Sequence, residues 1–132
     1  MKIAIVGYPG TGKTTHANKV ALERKYPIIH TDDFLHLPHS EIPAELIYAL
    51  EGLEDVVIEG THVTRLFAKG FTPDLLVYMY GGTDNICPSI EKMIDSHMNR
   101  YGVYFTMECV DWRNDEAKGK KALSAVQYRI YG

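Results

Sequence analysis

One stretch, Gly7-Tyr8-Pro9-Gly10-Thr11-Gly12-Lys13-Thr14, constrains this chain more than any other, because it commits three consecutive elements at once. It follows the apolar run Lys2–Val6, which reads as a strand, and it opens Thr14–Arg24, where Ala17, Val20 and Ala21 share one helical face. Glycines at the first, fourth and sixth positions let successive backbone N–H groups converge on one anion without Cβ clashes. The helix behind the turn aims its positive end at the same point. Lys13 is then placed to reach the β- and γ-phosphates of ATP, and the Thr14 hydroxyl to hold Mg²⁺. The expected nucleotide-binding residues are Gly7, Tyr8, Pro9, Gly10, Thr11, Gly12, Lys13, Thr14 and Thr15.

The rest of the chain continues the alternation. Pro27–Thr31 reads as a second strand bounded by the acidic pair Asp32–Asp33. Pro43 suits a first helical turn, and the helix after it carries Leu46, Ile47, Leu50 and Leu53 on one stripe. Asp55–Glu59 is a third strand of the uniformly apolar kind that a sheet covered on both faces requires. A short helix is expected over Thr61–Lys69, closed by Gly70, and a fourth strand over Leu75–Tyr80. Pro88–Arg100 has helical spacing, Val103–Cys109 reads as a fifth strand, and Asn114 is placed to cap a last helix. Strands alternating with helices predict an α/β fold, a three-layer sandwich around a mostly parallel sheet.

Size and charge narrow the partners. At 132 residues the chain is one domain, with room for at most a short lid over about 81–102. Fourteen basic against seventeen acidic side chains leave a net charge of −3, which argues against an extended nucleic-acid surface. No apolar run approaches the roughly 20 residues that span a bilayer, so no membrane is expected. The N-terminal apolar stretch breaks too early for a signal peptide, and Cys87 and Cys109 form neither a disulfide framework nor a metal finger. A reduced, cytoplasmic protein is the expectation.

Three stretches, GYPGTGKTT at 7–15, HTDDF at 30–34 and VVIEGTHVTR at 56–65, resemble the P-loop kinase superfamily, in particular its small adenylate, uridine, zeta-toxin and polynucleotide kinase members. The resemblance implies a parallel five-stranded sheet in the order 2-3-1-4-5 with helices on both faces. It also implies transfer of the γ-phosphoryl of ATP, with Mg²⁺, to an acceptor met by an acidic residue at the end of the second strand. A lid arginine and an adenine-cradling segment belong to the same pattern. Here these correspond to Arg100 and to Arg113 in Val110–Asn114.

In an open α/β sheet, ligands sit beyond the carboxyl ends of the strands. Asp32 and Asp33 at strand two, His36 after them and Glu59 at strand three are the expected acceptor-binding residues. The resemblance to polynucleotide and uridine kinases, which place their key Asp similarly, favours Asp32 as the group that activates or orients the attacking hydroxyl, with Asp33 the alternative. Glu59 with Thr14 is the expected Mg²⁺ pair, and Lys13, Asp32, Arg100 and Arg65 the expected catalytic set. Between Lys25 and Arg65 there is no Lys or Arg, whereas an acceptor phosphate needs cations to grip it. The expected acceptor is therefore a small molecule neutral near its hydroxyl, such as a nucleoside or sugar, ahead of a nucleotide or a 5′-hydroxyl nucleic acid end. Two other readings stay open: a nucleotide-binding or ATP-hydrolysing module without transfer, and a metal-dependent enzyme using the His30, His36 and His39 loop.

Overall fold

The runs Ile3–Val6, Val56–Ile58 and Leu75–Tyr80 must be covered on both faces, because apolar residues follow one another along them without alternation. The computed structural model describes residues 1–7, 11–80, 92, 95–96 and 106–111. It contains a five-stranded sheet of β1 (Lys2–Gly7), β2 (Ile28–His30), β3 (Val56–Glu59), β4 (Leu75–Tyr80) and β5 (Thr106–Asp111), ordered β2-β3-β1-β4-β5. All four pairings are parallel. This is the expected order, and it puts β1, with the glycine-rich turn at its end, in the centre.

Successive residues of each strand feed opposite layers. Ala4, Val6, Val56, Ile58, Leu76 and Tyr78 pack with Ile42, Leu46 and Leu50 of α2 (Ile42–Leu50) and with Val63, Leu66 and Phe67 of α3 (Val63–Phe67). Ile3, Ile5, Val57, Val77, Met79 and Val110 pack on the other side with Ala17, Val20 and Ala21 of α1 (Lys13–Arg24). Fully burying one such aliphatic side chain is worth about 1.5–3 kcal/mol, so these two layers, more than helix propensity, hold the frame. Pro43 lies in the first turn of α2, where its missing N–H costs no hydrogen bond.

Several element boundaries differ from expectation; β2, β3 and α3 are each shorter than expected. α2 ends at Leu50, so Leu53 lies past the helix in a turn, although it and Ile47 still pack against the core. α1 begins one residue earlier, at Lys13. β5 is described over Thr106–Asp111, so it runs two residues past the expected end at Cys109, and the expected start at Val103 lies outside the described residues. Of the expected helix at Pro88–Arg100, only Lys92, Asp95 and Ser96 are among the described residues, and they are helical. Most of the 81–102 lid segment, the helix capped by Asn114, and Cys87 lie outside the described residues. No helix among the described residues is long and apolar enough to cross a membrane.

Candidate functional site

The carboxyl ends of β1, β2 and β3 meet at a cleft of about 310 Å³ lined by Gly12, Lys13, Thr14, Thr15, Asp32, Glu59, Gly60 and Thr61. Three separate sequence segments supply these residues, and each is brought there by its own local physics.

The first segment leaves β1 at Gly7. A Cβ at Gly7 would stand 2.3 Å from the Met79 carbonyl oxygen of β4, so only glycine lets the chain turn out of the sheet there. α1 then starts with no side-chain cap and no acidic residue in its first turn. The head of α1, with its positive end, thus faces the cleft. Lys13, 9% exposed, folds back so that Nζ donates to the Gly7 carbonyl at 3.1 Å. Burial pulls its pKa below the ordinary lysine value, and the nearby carboxylates Glu59 and Asp32 pull it back up.

The second segment follows β2. Thr31–Phe34 winds as a 3₁₀ turn directly after His30, which brings Asp32 to the cleft. Asp33 is not a lining residue; its carbonyl pairs with Nδ1 of His36 at 3.1 Å, and His36 is exposed. The third segment is the end of β3. Glu59 is 2% exposed, and its Oε1 accepts from the Thr14 hydroxyl at 3.1 Å and from Nδ1 of His30 at 2.8 Å. Gly60, at φ +129°, lets β2 and β3 close upon each other: a Cβ there would lie 1.9 Å from Thr31 Oγ1.

Beyond the cleft, α3 carries Arg65, whose Nη1 donates to the His39 carbonyl at 3.0 Å and Nη2 to His39 Nδ1 at 2.9 Å. These bonds hold the Arg65 guanidinium against the loop before α2, outside the cleft lining. His39 meets His62 edge to face, ring centroids 4.9 Å apart. His62 is 6% exposed, and its buried Nδ1 has no hydrogen-bond partner. Burial lowers its pKa, Arg65 and His39 lower it further, and Asp32 works the other way.

The chemistry of the donor set suits Mg²⁺. Thr14 and Glu59 offer two hard oxygens side by side, the donor type that Mg²⁺ takes, and the lining holds two carboxylates against the one ammonium of Lys13. Among the described residues no group of three or more His, Cys, Asp or Glu side chains could hold a metal alone, so His30, His36 and His39 do not form a metal centre there. His30 instead faces Glu59, and His39 faces Arg65.

Of the expected site residues, Gly12, Lys13, Thr14, Thr15, Asp32 and Glu59 converge on the cleft. Gly7 and Thr11 shape the turn behind it. Tyr8, Pro9, Gly10, Arg100 and Arg113 lie outside the described residues. Sequence reasoning missed Thr61 and His62 as site neighbours. The signal was present, because both directly follow Glu59-Gly60 at the same sheet edge.

No protein-family model and no curated protein sequence matches this chain. Solved structures do. Shikimate kinase from Bacteroides thetaiotaomicron is 14% identical, with 91% of each chain covered and a TM-score of 0.49. Deoxyadenosine kinase from M. mycoides, solved with bound dATP, is 14% identical over the whole of both chains with a TM-score of 0.51. Together with the parallel sheet order, the likeness to the deoxyadenosine kinase structure shows that the chain has an α/β fold of the P-loop kinase type.

Proposed function

We propose that this chain is a phosphotransferase that moves the γ-phosphoryl of ATP to a hydroxyl of a small, neutral acceptor. The observation that carries this reading is the convergence of Lys13, Thr14, Asp32 and Glu59 on one cleft from three segments. Lys13 and the leading N–H groups of α1 bind and neutralise the phosphates. Thr14 and Glu59 would hold Mg²⁺, which supplies charge neutralisation on the phosphate oxygens when bound. Asp32 orients the acceptor hydroxyl and takes its proton. In the transfer, the acceptor oxygen forms a bond to the γ-phosphorus as the bond from that phosphorus to the bridging oxygen breaks, and ADP leaves. Arg100 and Arg113 are assigned to the developing charge and to the base, respectively.

The acceptor class rests on charge. The segment from Tyr26 to Thr64 holds no Lys or Arg, and Arg65 spends two of its donors on His39. A second phosphate has nothing there to grip it, which favours a nucleoside or sugar. The fold shared with deoxyadenosine kinase is compatible with such an acceptor.

The test is ADP release with ATP and Mg²⁺ against a panel of nucleosides, nucleotides, sugars and 5′-hydroxyl oligonucleotides. Release that depends on a nucleoside or sugar is expected. Tight ATP binding without acceptor-dependent release from any member would instead identify a binding or hydrolytic module.

A further inference from the structure

We propose that His30 is a positioning residue for Glu59, fixing the carboxylate that faces Mg²⁺ and so setting the Mg²⁺ dependence of nucleotide binding. The proposal rests on the reading of Glu59 as a Mg²⁺-holding group given above.

His30 and Glu59 are the last residues of neighbouring parallel strands and register partners in the β2–β3 ladder. Strand pairing therefore presents the imidazole to the carboxylate without help from a flexible loop. Nδ1 lies 2.8 Å from Oε1, within the range of a strong hydrogen bond. A carboxylate only accepts, so Nδ1 carries the proton of this bond. The burial is unequal: the Glu59 side chain is 3% exposed and that of His30 25%. Glu59 is thus the group that must be satisfied inside the protein, and His30 bridges it to the surface.

Thr14 and His30 meet the same oxygen from two sides, one from the head of α1 and one from the end of β2. The terminal torsion of a glutamate is broad, so a single donor leaves the carboxylate plane loosely defined. Two donors on Oε1 fix it. The pair thereby sets how Glu59 and the Thr14 hydroxyl present themselves to a cation beside the phosphates. Removing an outer partner of this kind commonly weakens metal affinity by about 10–100-fold.

A bond that merely tied two strands together would affect stability and every mode of nucleotide binding alike. A positioning bond affects the metal-dependent part alone. Calorimetry of ATP binding across a Mg²⁺ series, and separately with EDTA, distinguishes the two in His30→Leu, His30→Asn and Glu59→Gln. In His30→Leu the Mg²⁺ concentration for half-maximal tightening should rise about tenfold, with affinity in EDTA unchanged. His30→Asn, whose amide nitrogen falls near the place of Nδ1, should restore the wild-type midpoint. His30→Gln displaces the donor by one methylene and should behave as His30→Leu, which serves if the leucine variant does not fold. A wild-type midpoint in His30→Leu or His30→Gln, equal losses with and without Mg²⁺, or failure of a folded His30→Asn to rescue would overturn the proposal alone. A wild-type chain with no Mg²⁺ response, or Glu59→Gln with the wild-type response, overturns the Glu59 reading and the proposal with it.

Discussion

The Thr14 hydroxyl at the head of α1 and the Glu59 carboxylate at the end of β3 are hydrogen-bonded at 3.1 Å across 45 positions of sequence. The proton of that hydroxyl is committed to Glu59, so its lone pairs are left for a cation. One bond thus joins the end of the glycine-rich turn to the strand edge where Glu59 stands, in the cleft that Asp32 also lines.

Thr14→Val removes the hydroxyl at nearly constant shape. ATP binding should lose its Mg²⁺-dependent component while the folded state loses only about 1 kcal/mol, the usual net worth of such a bond. Calorimetry with and without Mg²⁺, alongside a denaturant melt, checks both halves.

Lys13→Ala should abolish the rise in melting temperature that ATP produces in the wild-type chain. The wild type should also show a characteristic pH profile. Because burial lowers the Lys13 pKa, its charge is lost at a pH below the ordinary 10.5, and ATP affinity should begin to fall correspondingly early on the alkaline side. In the unliganded protein the sign is opposite. The unfolded chain holds that proton more tightly, so this group's contribution to stability rises with pH between its folded value and 10.5. Affinity that stays flat up to 10.5 would contradict the role given to the ammonium.

Asp32→Asn keeps the shape of the cleft and removes the carboxylate to which the proposed function gives the role of base. Thermal stabilisation by ATP should persist while acceptor phosphorylation falls by about 10²–10⁴-fold. Steady-state turnover against the acceptor found in the panel measures it, and unchanged turnover would remove Asp32 from the mechanism. The parallel Asp33→Asn variant should retain activity, because Asp33 stands outside the cleft lining.

Gly60→Ala should destabilise the fold by about 1–3 kcal/mol, since the new methyl meets Thr31 Oγ1 at 1.9 Å and φ stays at +129°. The double variant with Thr31→Ala removes the 1.9 Å contact but leaves the Thr31 Cβ at 3.0 Å and the backbone strain, so it should recover only part of the loss. Urea denaturation of both variants gives the two components.

His62 should make the protein acid-sensitive. Its folded pKa is depressed by burial, Arg65 and His39, so the unfolded chain binds the proton more readily, and stability falls as the pH drops from 6.5 towards the folded value. His62→Phe should flatten that part of the melting-temperature profile. A profile identical to that of the wild type would show that another group is responsible.

Much of this molecule was legible in the order of its residues. Covalent spacing alone dictates the strand, turn and helix around Gly7–Thr14, because backbone N–H convergence and helix polarity are local properties. The runs at Val56–Glu59 and Leu75–Tyr80 likewise announce strands covered on both faces, since both of their alternating sets are apolar. Family resemblance supplied the sheet order, which periodicity does not contain.

Other features depended on which strands become neighbours. That Asp32 and not Asp33 enters the cleft follows from the 3₁₀ turn after His30 and from the gap that Gly60 leaves for Thr31. That His30 serves Glu59, and His39 serves Arg65, follows from parallel register and from a loop folded against α3. The same residues in a linear reading made an equally good metal-binding loop. Side-chain partnership across strands is decided by packing between segments far apart in the chain, and no local spacing rule carries that information.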